Sequence, residues 1–242
     1  MTVSVVIPLL NEAGQLPALI QNLKSVEGSF EVVAVDGGSE DGSVDVFRAL
    51  TVTDDRFRIL SQAGVRGRSA QMNFGATHSS GEVLLFLHAD CNLGAKAILS
   101  MSKALGRRGV IGGGFFKKYN PESFSLSLFR ILMNFVRTRL LHNFVGTNAI
   151  FVRRSIFEKL GGYPDVPILE EVIFCDRLKE SGKLVPLRPY VLSSSRRYVT
   201  SGVFRRMWVS FKIIFLYRVA KTDLSTLHRI YLEAVAHGTD HA

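Results

Sequence analysis

Phe30-Glu31-Val32-Val33-Ala34-Val35-Asp36-Gly37-Gly38-Ser39-Glu40-Asp41-Gly42-Ser43 begins as an apolar run and stops at a turn of glycine, serine and acids. A short, nearly continuous apolar run reads as a strand covered on both faces. The turn residues then release the chain into a helix through Leu50, for which Asp41 is the expected N-cap. The same strand-turn-helix unit recurs on both sides. Upstream, Val3 to Ile7 is a strand ending at Pro8, followed by the turn Asn11-Glu12-Ala13-Gly14 and by Leu16, Leu19, Ile20 and Leu23 at helical spacing. Downstream come a strand at 57–60, a helix at 69–77, a strand at 83–87 ending in His88-Ala89-Asp90, and a helix at 95–105. This alternation predicts an α/β, Rossmann-like fold: a mainly parallel sheet flanked by helices. Ligands of such sheets bind beyond the carboxyl ends of the strands, and Asp36 and Asp90 both stand there.

After Gly112 the alternation weakens. Gly112-Gly113-Gly114-Phe115-Phe116 reads as an edge strand. Residues 124–145 read as one helix whose narrow polar face is Ser127, Arg130, Asn134 and Arg137. A strand at 149–152, a helix at 155–160 and a helix at 170–181 follow, then two short strands at 184–187 and 190–193. A C-terminal helical tail runs from Val203, with Phe204, Met207, Trp208, Phe211, Ile214 and Phe215 on one stripe expected to pack. The expected organisation is a catalytic domain over 1–200, divided into a donor-binding half at 1–111 and an acceptor half at 112–200, with a helical appendage at 201–242.

The composition is that of a globular protein: 47% apolar and 21% charged residues. Cys91 and Cys175 form no CxxC pair and read as reduced thiols of a cytoplasmic protein. No secretory signal and no stretch long enough to span a bilayer is legible. Lysine and arginine number 30 against 21 acids, a formal charge of +9. The excess is concentrated: Lys103 to Arg139 holds Glu122 as its only acid, and Arg196 to Lys221 holds none. Such segments suit an anionic partner: a diphosphate, an acidic lipid surface or, from charge alone, nucleic acid. No nucleic-acid recognition motif accompanies them, so nucleic acid is not an expected partner.

Several residues have the chemistry of a site. The acidic turn around Asp36 suits hydrogen bonds to a base or ribose better than a phosphate cradle, which presents N–H groups and avoids acids; a plain turn in which Asp41 only caps a helix is the other reading. Asp90 offers an oxygen ligand to a divalent cation, and His88, two residues earlier on a strand, points to the same side. Glu170 and Glu171 open a helix, where acids favour the helix dipole, or serve as a general base. Arg66 and Arg68 lie in a polar cluster with Gln71 and Asn73. Arg196 and Arg197 fit a diphosphate, or a solvated surface pair.

Taken in order, these motifs resemble those of the family-2 inverting glycosyltransferases, which have the A-type glycosyltransferase fold. Val5-Val6-Ile7-Pro8-Leu9-Leu10-Asn11-Glu12 resembles that family's first strand and turn, and Val35 to Ser43 its Val-Asp-Asp-Gly-Ser-x-Asp-Gly-Thr motif. Gly67-Arg68-Ser69-Ala70-Gln71-Met72-Asn73-Phe74-Gly75, His88-Ala89-Asp90, Gly146 to Arg154 and Glu170-Glu171 match further segments in sequence order. The His-Ala-Asp form is similar to a bacterial subgroup, part of it linked to arsenosugar biosynthesis. The resemblance implies transfer of a sugar from a nucleoside-diphosphate donor, with a UDP-sugar favoured, to an acceptor hydroxyl. A non-turnover nucleotide-sugar-binding protein is the alternative. Pro8, Glu12, Asp36, Asp41, Arg68 and Asp90 would bind the nucleotide. Asp90 and His88 would meet a Mn²⁺ or Mg²⁺ ion, and Arg196 or Arg197 would assist at the diphosphate. Glu171 would be the base, with Glu170 beside it. Three positions depart from the pattern: Gly37 replaces the second Asp of the pair, His88 replaces the first Asp of Asp-x-Asp, and Glu171 replaces the Asp of Glu-Asp. A lipid-linked acceptor at a membrane surface, or a homodimer, would use the apolar and basic helices.

Overall fold

The computed structural model describes residues 1–61, 65, 67–195 and 203–236. Arg66, Arg196 and Arg197 lie outside the described residues. Eight strands form one mixed sheet in the order β3-β2-β1-β4-β7-β6-β8-β5. They are β1 (Val3–Leu9), β2 (Phe30–Asp36), β3 (Phe57–Ser61), β4 (Val83–Phe86), β5 (Cys91–Asn92), β6 (Val110–Asn120), β7 (Ile150–Arg153) and β8 (Lys183–Ser194). β3, β2, β1 and β4 run parallel, as the alternation predicts. β7 is antiparallel to both its neighbours, and β6 runs parallel to β8. Helices α1 (Leu16–Lys24), α2 (Ser43–Thr51), α3 (Arg68–Thr77) and α4 (Ala97–Leu105) make the crossovers. They are followed by α5 (Phe124–Met133), α6 (Arg154–Lys159), α7 (Glu170–Ser181), α8 (Val203–Arg218) and α9 (Leu224–Ala236).

Side chains alternate across a strand, so a sheet covered on both faces needs apolar residues at successive positions. Val3, Val5, Ile7 and Leu9 of β1 join Leu16, Leu19 and Leu23 of α1 and Met101 of α4 in one core layer. Val6 faces the opposite layer with Met72 of α3, Phe157 of α6 and Phe174 of α7. Pro8 is accommodated because β4 ends its pairing with β1 at Val6↔Phe86, before the position where an N–H at residue 8 would be needed.

Four expectations are corrected. The glycine strand is not at an edge: β6 has eleven residues and lies between β7 and β8. Its glycines permit close approach, since a Cβ on Gly112 would sit 2.5 Å from the Phe151 carbonyl and one on Gly113 would strike the Val185 carbonyl. The two short strands after α7 are a single β8; a register shift between Phe115 and Lys117 absorbs the Arg188-Pro189 segment. The helix of residues 124–145 is α5 followed by a π-helical turn over Asn134–Leu140. Its polar stripe turns inward at Asn134, whose amide donates to the Lys117 carbonyl (2.8 Å) and accepts from the Lys117 N–H (3.2 Å). Conversely, Phe124 (89% exposed), Leu128, Ile131, Leu132 and Phe135 face outward. Of the apolar stripe on the tail, Trp208, Phe211 and Phe215 are exposed rather than packed; the side chains of Phe204 and Met207 lie outside the described ones. No helix among the described residues is long and apolar enough to cross a membrane. Cys91 and Cys175 are free and buried.

Candidate active site

The loops after β1 and β2 are knitted together. The Asn11 N–H donates to Ser39 Oγ, the Glu40 N–H to Asn11 Oδ1, and the Glu12 N–H to Ser43 Oγ, each at 2.9 Å. Asp41 takes part in this network instead of acting as an N-cap: Gly42 occupies the cap position in the left-handed conformation. Asp41 Oδ2 accepts from the Ala13 N–H (2.9 Å) and Oδ1 from the Ser43 N–H (3.0 Å). Hydrogen bonds from Ser43 and then Ala13 hold its carboxyl below the usual value. Asp36 is buried and accepts from the backbone N–H groups of Gly38 (3.0 Å) and Ser39 (3.1 Å), so its carboxylate shapes its own turn.

Gly37 has a local cause. Gln71 of α3 inserts its amide between β1 and β2, donating to the carbonyls of Leu9 (2.6 Å) and Val35 (2.8 Å). A Cβ on residue 37 would lie 2.9 Å from that Gln71 nitrogen. The side chain missing from the acidic pair is thus displaced by a buried amide.

On the other side of β4, Glu171 Oε1 comes within 3.2 Å of His88 Nε2. Both side chains are largely buried, and neither atom finds a well-directed hydrogen-bond partner among the described residues. Burial alone would raise the Glu171 pKa. It is outweighed by His88, by the positive charge of Arg68 and by the Gly146 N–H, which bring the carboxyl down to about 2 and keep it ionised. Glu170 moves the opposite way, raised by burial and by the Glu171 charge. Arg68, the first residue of α3, reaches Glu170 Oε1 at 3.5 Å. Both glutamates open α7 behind Leu169, which holds a left-handed φ of 66°. Gly146 leaves room for the pair, because a Cβ there would strike the His88 ring and Glu171 Oε1.

Asp90 follows β4, and one of its carboxylate oxygens receives the Cys91 thiol at 3.3 Å. His88 directs its Nε2 at Glu171 Oε1. No group of three or more His, Cys, Asp or Glu residues suited to a metal exists among the described residues. One carboxylate at a strand end fits a hard cation only if substrate oxygens complete its shell, the arrangement common for Mg²⁺ bound with phosphates.

The predicted residues therefore fall into two groups at one end of the sheet. Pro8 and Asp36, at the ends of β1 and β2, go with Glu12 and Asp41 in the loops that follow, Arg68, His88, Glu170 and Glu171 converge across β4, and Asp90 stands in the turn after β4. The glutamates and Arg68 line a cavity of about 810 Å³ that also touches Arg137, the loop 165–169, Ile213 of α8 and Tyr231 of α9. Sequence reasoning gave no special role to Gln71, Gly146 or Lys117. For Lys117 a signal existed: with Lys118 it interrupts the apolar and glycine-rich run of residues 110–116 within one strand.

An open, mostly parallel sheet with carboxylates beyond its strand ends and a buried carboxylate at an adjoining cavity defines an A-type glycosyltransferase fold. The chain belongs to glycosyl transferase family 2, whose model matches residues 4–161. It is 28% identical over 170 residues to the glycosyltransferase AglE of Haloferax volcanii, covering 67% of this chain and 56% of that protein. It is 31% identical over 167 residues to a PGL/p-HBAD biosynthesis glycosyltransferase of Mycobacterium bovis, covering 66% and 62%. The chain thus matches about three fifths of the length of these relatives. Among solved structures it resembles the mannosyltransferase PcManGT of Pyrobaculum calidifontis in complex with GDP-Man and Mn²⁺, with a TM-score of 0.71 and 19% identity, covering 99% of this chain and 70% of the other. It also resembles S. aureus TarS 1-349 in complex with UDP-GlcNAc, with a TM-score of 0.63 and 16% identity, covering 100% and 74%.

Proposed function

We propose that this glycosyltransferase moves a sugar from a nucleoside-diphosphate donor to an acceptor hydroxyl with inversion, residues 1–111 holding the donor and 112–200 the acceptor. The observation that carries the reading is the buried Glu171 carboxyl at the edge of the cavity, 3.2 Å from His88, with the positive charge of Arg68 and the Gly146 N–H favouring its charged form. Glu171 accepts the proton of the acceptor hydroxyl as its oxygen bonds to the anomeric carbon from the face opposite the leaving group. The bond from that carbon to the diphosphate oxygen breaks, and the nucleoside diphosphate leaves with the electron pair. His88 keeps the Glu171 carboxylate oriented and ionised until attack. The first-loop residues Pro8 and Glu12 and the acidic turn of Asp36 and Asp41 form the floor for base and ribose, with a uridine nucleotide favoured. Asp90 would hold a Mn²⁺ or Mg²⁺ ion together with the donor, and that cation supplies positive charge at the leaving diphosphate. Arg196 and Arg197 are the further cations assigned to the diphosphate.

Replacing Glu171 by Gln keeps shape and burial but removes the base. Nucleoside-diphosphate release with acceptor present is expected to fall by about two to four decades, with donor affinity preserved. Wild-type turnover by that variant would remove Glu171 from the mechanism. Thermal shifts with UDP and GDP, with and without Mn²⁺, identify the base and the metal requirement: the larger shift is expected for UDP, increased by Mn²⁺ and cancelled by Asp90→Ala.

A further inference from the structure

A second cavity, of about 540 Å³, adjoins the first. The two share Arg137, Val145, Ser210 and Ile214 in their walls. The second is bounded by Phe129, Met133 and Val136 of α5 and its π-turn, and by Phe211 of α8. Into this largely apolar space four cations are set: Lys117, Arg137, Lys179 and Arg218. Asp176 answers two of them, pairing with Lys179 at 3.2 Å and with Arg218 at 2.8 Å.

Lys117 is different. It is 5% exposed, on the interior strand β6, and no carboxylate comes within ion-pair reach of it among the described residues. Its ammonium stands over the Tyr119 ring, 5.3 Å from the ring centre. An ammonium desolvated with no carboxylate in contact is costly: burial and then the Arg137 charge bring its pKa down to about 7, only partly offset by the more distant charge of Glu171. The π-turn that forms the wall is fixed to β6 by Asn134 at the backbone of Lys117 itself, so the cation and the apolar wall are built as one unit. Such π-helical insertions are frequent at functional sites. The cavity also opens onto apolar surface: Leu141 and Phe211 line it and are at the same time 57% and 44% exposed, leading to the outward face of Leu128, Ile131, Leu132 and Phe135.

We propose that this cavity is the acceptor subsite and takes a phosphate-bearing amphiphile, its anionic group on Lys117 and Arg137 and its alkyl chain leaving past Leu141 and Phe211 along the exposed face of α5. The missing anion at Lys117 defines the head, and the apolar exit defines the tail. The shared wall with the first cavity brings a hydroxyl of the same molecule to Glu171. The inference rests on the reading of Glu171 as the acceptor-side base, but its test does not require turnover.

The probe is monododecyl phosphate below its micellar concentration, titrated into the full chain and read by calorimetry and by the fluorescence of Trp208, the protein's one tryptophan. One molecule per chain is expected to bind. Lys117→Met, of similar length and apolar, is expected to weaken it at least tenfold while leaving the weaker binding of neutral dodecyl maltoside unchanged. Val136→Glu, which adds an opposing charge to the wall, is expected to do the same and covers the case in which Lys117→Met does not fold. Inorganic phosphate is expected to bind at least a hundredfold more weakly than the dodecyl ester. Equal affinity of wild type and both variants for dodecyl phosphate, equal affinity for the phosphate and maltoside probes, or binding of inorganic phosphate as tight as the ester would each overturn the proposal. Glu171→Gln separates the two readings: it is expected to bind dodecyl phosphate as wild type does, so loss of turnover and loss of amphiphile binding are independent results.

Discussion

Gly146 has to be small because of what stands against it. Its Cβ position is occupied by the His88 ring and by Glu171 Oε1, and its N–H helps hold the Glu171 carboxylate. Gly146→Ala is therefore expected to displace the pair and lower turnover by about ten- to a hundredfold with donor affinity retained, a split visible in kcat measured against nucleotide binding. Gln71 carries the complementary role at the nucleotide end. Gln71→Ala leaves two buried carbonyls without their donor and is expected to cost about 1–3 kcal/mol in urea unfolding. Lys117 sets a pH dependence. Its folded pKa of about 7 lies below the ordinary 10.5, so between these values the unfolded chain binds more protons than the folded one. Stability then rises with pH from about 7 to 10.5, and the penalty is full below the folded value. Lys117→Met removes this slope and is expected to raise Tm at pH 6 by at least about 3 °C, read by scanning the melting temperature of both proteins across pH.

At the scale of elements, α5 and its π-turn pack with a polar seam inward. Asn134 and Thr138 are buried, while five large apolar side chains between Phe124 and Phe135 face outward. Solvent-facing substitutions of these residues should leave the fold intact: Ile131→Ser and Phe135→Ser are each expected to change stability by no more than about 0.5 kcal/mol. Asn134→Leu, in contrast, strands both backbone groups of Lys117 and is expected to destabilise by about 1–3 kcal/mol, with chemical denaturation separating the two outcomes. The periodicity that predicts a helix here is correct as far as Met133, but the direction of its faces is not encoded in it. A narrow polar stripe ordinarily marks the solvent side. Here a single amide has a backbone partner on β6 that no local pattern reveals.

For the whole molecule, the acid-poor basic segments Lys103 to Arg139 and Arg196 to Lys221 include α5, its π-turn and α8, the same elements that carry exposed apolar side chains. Apolar area beside cations is the combination that holds a protein on an anionic lipid surface. Co-sedimentation with vesicles containing phosphatidylserine is expected at low salt and lost near 0.5 M NaCl, roughly, where screening shortens the reach of surface charge to a few ångströms. The double variant Ile131→Ser, Phe135→Ser is expected to reduce the sedimented fraction without altering solution stability. Vesicle binding that is indifferent to both salt and these substitutions would place the contact elsewhere.

Local pattern determined the parallel part of the sheet. Apolar runs at 3–7, 30–35 and 83–87 are strands because their residues can be buried on two faces, the half-buried 57–60 forms the edge beside them, and the turns at their ends need no distant partner to be legible. The acids at 36, 41, 90, 170 and 171 were readable as a set because each lies at the end of an apolar run, in the turn that follows one, or at a helix start. Only the tertiary structure decided what each does. It tied Asp41 and Asp36 to backbone N–H groups, brought His88 against Glu171, put Gln71 where Gly37 has no side chain, and moved the glycine strand from the edge to the interior. These outcomes depend on pairs brought together from distant positions — residues 88 and 171, 37 and 71, 117 and 134 — and a spacing rule that spans one turn of helix or two residues of strand carries no information about them.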